Sequence, residues 1–194
     1  MKDWQELLRY PLGDDRWILK VIIGSLITLV PVLNLVLLGY AVACIELGMQ
    51  GRRQLPEWEA WRDYIRDALS AVLILLAYLL VPIVLTIVLS HIPLIGIVLG
   101  AVLILLAGAL APMALAAYTI RRDISEAFSL GDIIHQINNN LEAYLSGYLF
   151  LILSTCLGLT LIIALPYLAC LWSLLIFYST VVYSYLIGCL ACGV

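Results

Sequence analysis

Residues 67–122 read DALSAVLILLAYLLVPIVLTIVLSHIPLIGIVLGAVLILLAGALAPMALAAYTIRR, and between Asp67 and Arg121 there is no Asp, Glu, Lys or Arg. Two runs stand out, Ser70 to Ser90 and Leu94 to Tyr118, joined by the uncharged link His91-Ile92-Pro93. Each is long enough to cross a hydrocarbon core of about 30 Å, which takes about 20 apolar residues as a helix. A short link makes the two spans antiparallel, so the charged residues at their far ends share one side of a membrane.

The rest of the chain follows the same plan. Tyr144 to Leu165 and Leu171 to Cys192 form a second pair of runs, turning around Pro166. The run from Ile18 to Gly48 is apolar except for Lys20 and Glu46. As a single helix it would be about 46 Å long at 1.5 Å per residue, well beyond the core thickness. Pro31 and Asn34 interrupt it, one removing a backbone donor and the other favouring turns. Two readings compete: one tilted helix kinked at Pro31, or two short helices in a hairpin. All ten Lys and Arg residues fall at 2–20, 52–66 and 121–122. A hairpin puts every one of them on the same face, as the positive-inside tendency favours, whereas a single crossing strands the first group.

The expected architecture is therefore an all-α, polytopic membrane protein with six apolar helices in three hairpins, the first short and not required to cross fully. Residues 1–17 are read as an interfacial segment and 18–49 as the first hairpin. Residues 50–69 form an amphipathic connector, 70–118 the second hairpin, 119–143 another amphipathic connector and 144–194 the third hairpin. Helix breaks are expected at Pro31, Pro82, Pro93, Pro112 and Pro166. The charge distribution predicts both termini and the charged connectors on the cytoplasmic side.

Composition sets outer bounds. The 194 residues are 64% hydrophobic and 12% charged, with a mean hydropathy of +1.10. A soluble domain needs more polar surface than that. The net charge of −3 gives no overall basic field for nucleic acid. Met1 to Arg16 is too polar for a cleavable leader, so the run from Ile18 is read as mature protein. Cys44, Cys156, Cys170, Cys189 and Cys192 all sit in apolar runs and read as small packing residues, not a disulfide framework.

Polar segments carry the aromatic anchors. The N-terminal MKDWQELLRYPLGDDRW interleaves Trp4, Leu7, Leu8 and Tyr10 with charge and ends in Pro11 and Gly13, suggesting a short interfacial segment. In LPEWEAWRDYIRDAL, Pro56 suits a first helical turn, and Trp58, Trp61, Ile65 and Leu69 recur on one face. Trp4, Trp17, Trp58 and Trp61 are the expected interfacial anchors. In the second connector, Ser129 with Asp132 three residues on reads as a capping pair opening a short helix, and Asn138–Asn140 close it.

Candidate chemistry is sparse. Cys189 and Cys192 form a CxxC, the spacing of a thiol redox pair or half a metal site, but no flanking charge or second pair supports either. His91 and His135 fall at different levels in this topology and cannot sandwich a haem. Lys20 and Glu46 lie near helix ends and are expected to snorkel. No catalytic, cofactor or metal residue is assigned, and enzyme activity is not expected. Gly96, Gly100, Ala107 and Ala111 give small-xxx-small faces that let a second helix approach closely, within the chain or from a partner.

One stretch points to a family. PLGDDRWILKVIIGSLITLVPVLNLVLLGYAV, followed after GRR by LPEWEAWRDYIRDALSAVLILLAYLLVP, resembles the prokaryotic integral-membrane family known as domain of unknown function 4013. The shared elements are Asp15 with Trp17, Pro31, Gly39–Tyr40, Leu55 to Trp58, and Tyr78 with Pro82. Further on come Pro112, Glu126-Ala127-Phe128, Tyr144 and a small-residue span ending near Gly188. The chain stops at Val194 without the polar tail the family pattern leads one to expect. The resemblance implies six apolar helices in a prokaryotic cell membrane and carries no established activity, so no site residue transfers.

The functional expectation is a non-catalytic integral-membrane protein, an accessory subunit or membrane organiser acting through protein and lipid contacts. Its partners would be membrane lipids and other membrane subunits or further copies of itself, not nucleic acid. The alternative is a transporter or channel for lipid or small hydrophobic molecules, suggested by the prolines within apolar runs.

Overall fold

A computed structural model of the chain describes residues 4–30, 33–92 and 95–193. Most of these are helical, with no strand among them. After α1 (Trp4–Leu8) and a 3-10 turn (Tyr10–Gly13) come α2 (Trp17–Thr28) and α3 (Asn34–Met49). The long helices are α4 (Trp61–Leu89) and α5 (Ile95–Arg121), then α7 (Leu141–Ala164) and α8 (Ala169–Cys192); between the pairs lie a 3-10 turn (Ile124–Phe128) and α6 (Leu130–Asn139). Four of the described helical stretches, Trp61–Leu89, Gly96–Arg121, Leu141–Ala164 and Pro166–Cys192, are long and apolar enough to cross a membrane.

The first apolar run falls into two helices, of 12 and 16 residues. At about 18 and 24 Å each is shorter than a hydrocarbon core. Their directions follow from what they touch on α8. Tyr10, just before α2, stacks on Tyr185, and Gly24 within α2 abuts the Phe177 ring. The chain then returns in α3 from Tyr40, near Phe177, to Gly48, against Tyr185 and Gly188. The chain has reversed between them, and Pro31, the proposed break, lies outside the described residues, as does Pro93.

Close backbone approach organises the core. A Cβ on Gly39 would sit 1.9 Å from the Tyr64 carbonyl oxygen, and one on Gly188 would sit 2.0 Å from that of Ile45. Glycine at these positions lets α3 lie directly between α4 and α8. Small residues also pair α4 with α5: Gly96 faces the Leu89 carbonyl and Gly100 faces the Thr86 side chain. Tyr144 and Tyr148 of α7 donate to the carbonyls of Ala109 and Leu105 on α5.

Burial is concentrated at the end where α1, α3 and the charged connectors gather. Along α4, Tyr64, Ala68, Ala71 and Ile74 are buried, whereas Leu80, Val84 and Val88 are exposed. On α7 exposure likewise extends from Leu153 to Ile163, which is 82% exposed. The far halves of the α4–α5 and α7–α8 pairs thus present apolar surface, which suits lipid and not water.

Several local expectations give way. Residues 52–57 form no helix, and α4 starts at Trp61 instead of near Pro56. Trp58 turns inward, as described below. Pro82 and Pro112 lie inside continuous helices. Proline is tolerated there because the surrounding turns still fix the helix in an apolar setting. Pro166 does end a helix, opening a 3-10 turn between α7 and α8. Ser129 precedes α6, but its side chain makes no capping bond; Asp123 caps the preceding turn by accepting from the Ser125 amide.

Candidate functional site

Three features at or beside the charged end have the geometry to act. The first is a polar knot around Lys20. Its ammonium donates to Asp14 Oδ2 at 2.7 Å, to the Leu55 carbonyl at 2.9 Å and to Glu57 Oε1 at 2.8 Å. Lys20 is only 3% exposed, so it does not snorkel. It is paired because an isolated charge in that position would be costly to bury. Asp14 also accepts from the amides of Arg16 and Leu55. Burial alone would raise its carboxyl, but the bonds from Lys20 and these amides outweigh that and hold it below the usual carboxylate range.

Aromatic side chains strap the 54–58 loop over this knot. Tyr10 donates to the Gln54 carbonyl, Tyr40 to Pro56 and Tyr64 to Glu57. The Trp58 indole stacks on Tyr40 with ring centres 4.3 Å apart and donates to the Lys20 carbonyl. The knot has every donor engaged, which suits a lock better than a ligand site.

The second feature is a cavity of about 420 Å³ between the last turns of α3 and the first turns of α4. Its floor is a charge network. Arg122 bonds Asp67 at 2.5 Å and also pairs with Glu46, and Tyr118 donates to Asp67 at 3.3 Å. Burial by itself would lower the Arg122 guanidinium, yet its bond to Asp67 and the charges of Asp67 and Glu46 raise it further. Arg122 has φ +55°, the one non-glycine with positive φ among the described residues. That conformation costs on the order of 1–3 kcal/mol and persists where surrounding bonds over-determine it.

The third feature is an apolar groove of about 460 Å³ along α4 and α5, bordered by Val81, Pro82, Leu85, Leu103 and Ala107. The connector roofs one end. Tyr78 donates to the Ala127 carbonyl at 2.6 Å and stacks on Phe128 with centres 5.9 Å apart. Its volume lies in the range of about 300–1,000 Å³ usual for small-molecule sites, and its bordering Val81 and Leu85 are exposed apolar side chains.

The residues singled out in the sequence are scattered. Trp17 opens α2 and is half-buried, Trp58 is in the core and Trp61 is exposed at the start of α4. Trp4 belongs to α1, and its side chain lies outside the described part. Gly96 and Gly100 pack within the chain, against α4. Ala107 borders the groove and Ala111 is buried. Cys189 is buried with its thiol donating to the Gly48 carbonyl at 3.4 Å, while Cys192 is exposed. His91 sits at the far end of α4 and His135 on α6, and no group of His, Cys, Asp or Glu suited to a metal occurs among the described residues. The Asp14–Lys20–Glu57 knot and the Arg122 network were missed. A lone lysine within an apolar run was the available signal, since such a charge needs a partner.

A family model described as a protein of unknown function (DUF4013) matches residues 22–172. The matched region contains the groove and the Arg122 network but begins after Asp14, Trp17 and Lys20. No curated protein and no solved structure matches the chain.

Proposed function

We propose, from the premise that the chain belongs to the DUF4013 family of unknown function, that it is a non-catalytic protein of a prokaryotic cell membrane. It acts through lipid and protein contacts, as an accessory subunit or membrane organiser. In this reading its apolar helices make three hairpins, with α2–α3 the short one, and both termini and the charged connectors face the cytoplasm. The reversal of the chain along α8 supports the hairpin, and the clustering of Lys and Arg supports the orientation.

The observation that carries the functional reading is the groove between α4 and α5. It is apolar, is bordered by the exposed Val81 and Leu85 and has the Tyr78–Phe128 contact of the connector at one end. A hydrocarbon chain lying there touches both the spans and the segment that faces any cytoplasmic partner. Occupancy can therefore be felt by a protein docked on the connector.

The test fills the groove. Ala107→Phe is expected to lower the amount of lipid retained through purification in mild detergent, read by native mass spectrometry, with melting close to wild type. Equal lipid retention in the two proteins would remove the groove from the proposal. A stoichiometric protein partner recovered with wild type and lost with Ala107→Phe supports the accessory role. Passage of lipid between leaflets in reconstituted vesicles, blocked by the same substitution, would favour the transporter alternative, which the groove's exposed apolar border also suits.

A further inference from the structure

We infer that the cavity beside Arg122 binds the head of a phosphoethanolamine ester, with its phosphate on Arg52 and Arg66 and its ammonium on Asp63. The site is separate from the apolar groove and does not depend on that reading. Its walls carry both charge signs, yet the charges are unevenly engaged. On the floor, Arg122 is committed to Asp67 and Glu46. Arg52, on the rim, has no ion-pair partner among the described residues. Arg66 approaches Asp63 and Asp67 only at 3.9 and 3.7 Å, beyond good hydrogen-bond distance. Two guanidinium groups and one carboxylate therefore keep unused bonding capacity around a ready cavity.

A ligand bearing both charges fits this arrangement better than an inorganic anion, which would lie close to Asp63 and Glu46. Guanidinium forks match phosphate oxygens geometrically. The apolar part of α4 starts at Ala68, directly after Asp67, which puts the cavity at headgroup level if the helix spans.

The same chemistry comes from phosphatidylethanolamine in the bilayer or from a soluble ester, and the experiment separates the sources. Full-length protein is titrated with phosphatidylethanolamine or phosphatidylglycerol in mixed micelles, and with glycerophosphoethanolamine in solution, using native mass spectrometry and thermal shift. Wild type is expected to prefer phosphatidylethanolamine to phosphatidylglycerol. Arg52→Gln should weaken both lipids roughly tenfold, the loss of a charge-assisted bond. Asp63→Asn should weaken only the ethanolamine lipid. Both residues are exposed, so melting without added lipid should stay at wild type and serves as the folding control. Binding of the glycerol ester with the same variant pattern identifies a soluble ligand; binding of the lipid alone identifies a headgroup site. Equal affinity of wild type for the two lipids, or no response to either substitution, overturns the inference. Ala107→Phe leaves these residues untouched, so failure here is distinct from failure of the groove.

Discussion

Lys20 and Asp14 form a 2.7 Å ion pair with side chains only 4% and 8% exposed, at the root of an apolar helix. They are six positions apart, and the pair closes the turn that leads the N-terminal segment into α2. Glu57 from the next connector joins the same ammonium at 2.8 Å. One lysine thus ties the N-terminal turn and α2 to the loop before α4, 35 or more positions away.

Replacing that lysine should cost far more than replacing an exposed one. Lys20→Ala leaves Asp14 buried with two amides and no counter-charge, an expected loss of about 3–5 kcal/mol. Arg53→Ala removes a surface pair with Glu6, whose side chains are 63% and 59% exposed, and should cost about 0–1 kcal/mol. Detergent-solubilised melting of the two variants decides the point. Equal shifts would mean that the Lys20 knot carries no special weight.

The same carboxylate predicts an acid limb. Because Asp14 is held below its ordinary range when folded, its contribution is full above the unfolded carboxylate value of about 3.9. It is lost as pH falls through the lower folded value. Melting measured from pH 7 to pH 3 should therefore decline more steeply below about pH 4 in wild type than in Asp14→Asn, which melts lower at neutral pH. Asp123, also lowered by its bond from Ser125, titrates in both proteins and cancels from the comparison. Parallel curves would rule out Asp14 as a source of the acid limb.

The long spans were legible because each depends only on a run of apolar residues, and the α4–α5 pair is visible in residues 67–122 alone. The division of the first apolar run into two short helices was legible in its length, which exceeds one crossing. What stayed hidden depends on which residues meet. Lys20 and Glu57 are 37 positions apart, and Arg122 and Glu46 are 76 apart, so no local spacing announces either pair. Trp58 was misplaced for a related reason. Helical periodicity set it beside Trp61 on one face, but the chain before Trp61 is not helical, and Trp58 stacks on Tyr40. The groove arises from two helices and a connector 18 residues beyond the last apolar wall residue on α5, Leu110 to Phe128, and nothing in the order of residues specifies it.

The two tryptophans should behave oppositely. Trp58 is 8% exposed and Trp61 39% exposed. Trp58→Ala should lose about 3–5 kcal/mol as a core aromatic, while Trp61→Ala should stay near the ±0.5 kcal/mol typical of surface changes. In single-tryptophan variants, brominated lipid headgroup probes should quench Trp61 and leave Trp58 bright. Strong quenching of Trp58 would mean that the loop lifts off α3 in a membrane.

Contact between the α3 and α8 backbones sets the most demanding geometric test. A Cβ at Gly48 would lie 2.3 Å from the Tyr185 carbonyl oxygen and 3.1 Å from the Gly188 Cα. The nearest atoms are α8 backbone, so no side-chain rotation relieves the clash and the helices must part. Parting them also loosens Cys189 from the Gly48 carbonyl and Tyr40 from Phe177, since all lie along the same seam. Gly48→Ala is expected to cost at least about 1–3 kcal/mol, the usual range for overpacking. Gly131→Ala supplies the control: it lies in α6 with nothing within 4 Å of an added Cβ, so it should gain up to about 1 kcal/mol from helix propensity. Melting of the two alanine variants beside wild type tests this. If Gly48→Ala melts as high as Gly131→Ala, α3 and α8 do not touch through their backbones, and α3 would have to sit farther from α8 than the Gly48–Gly188 approach allows.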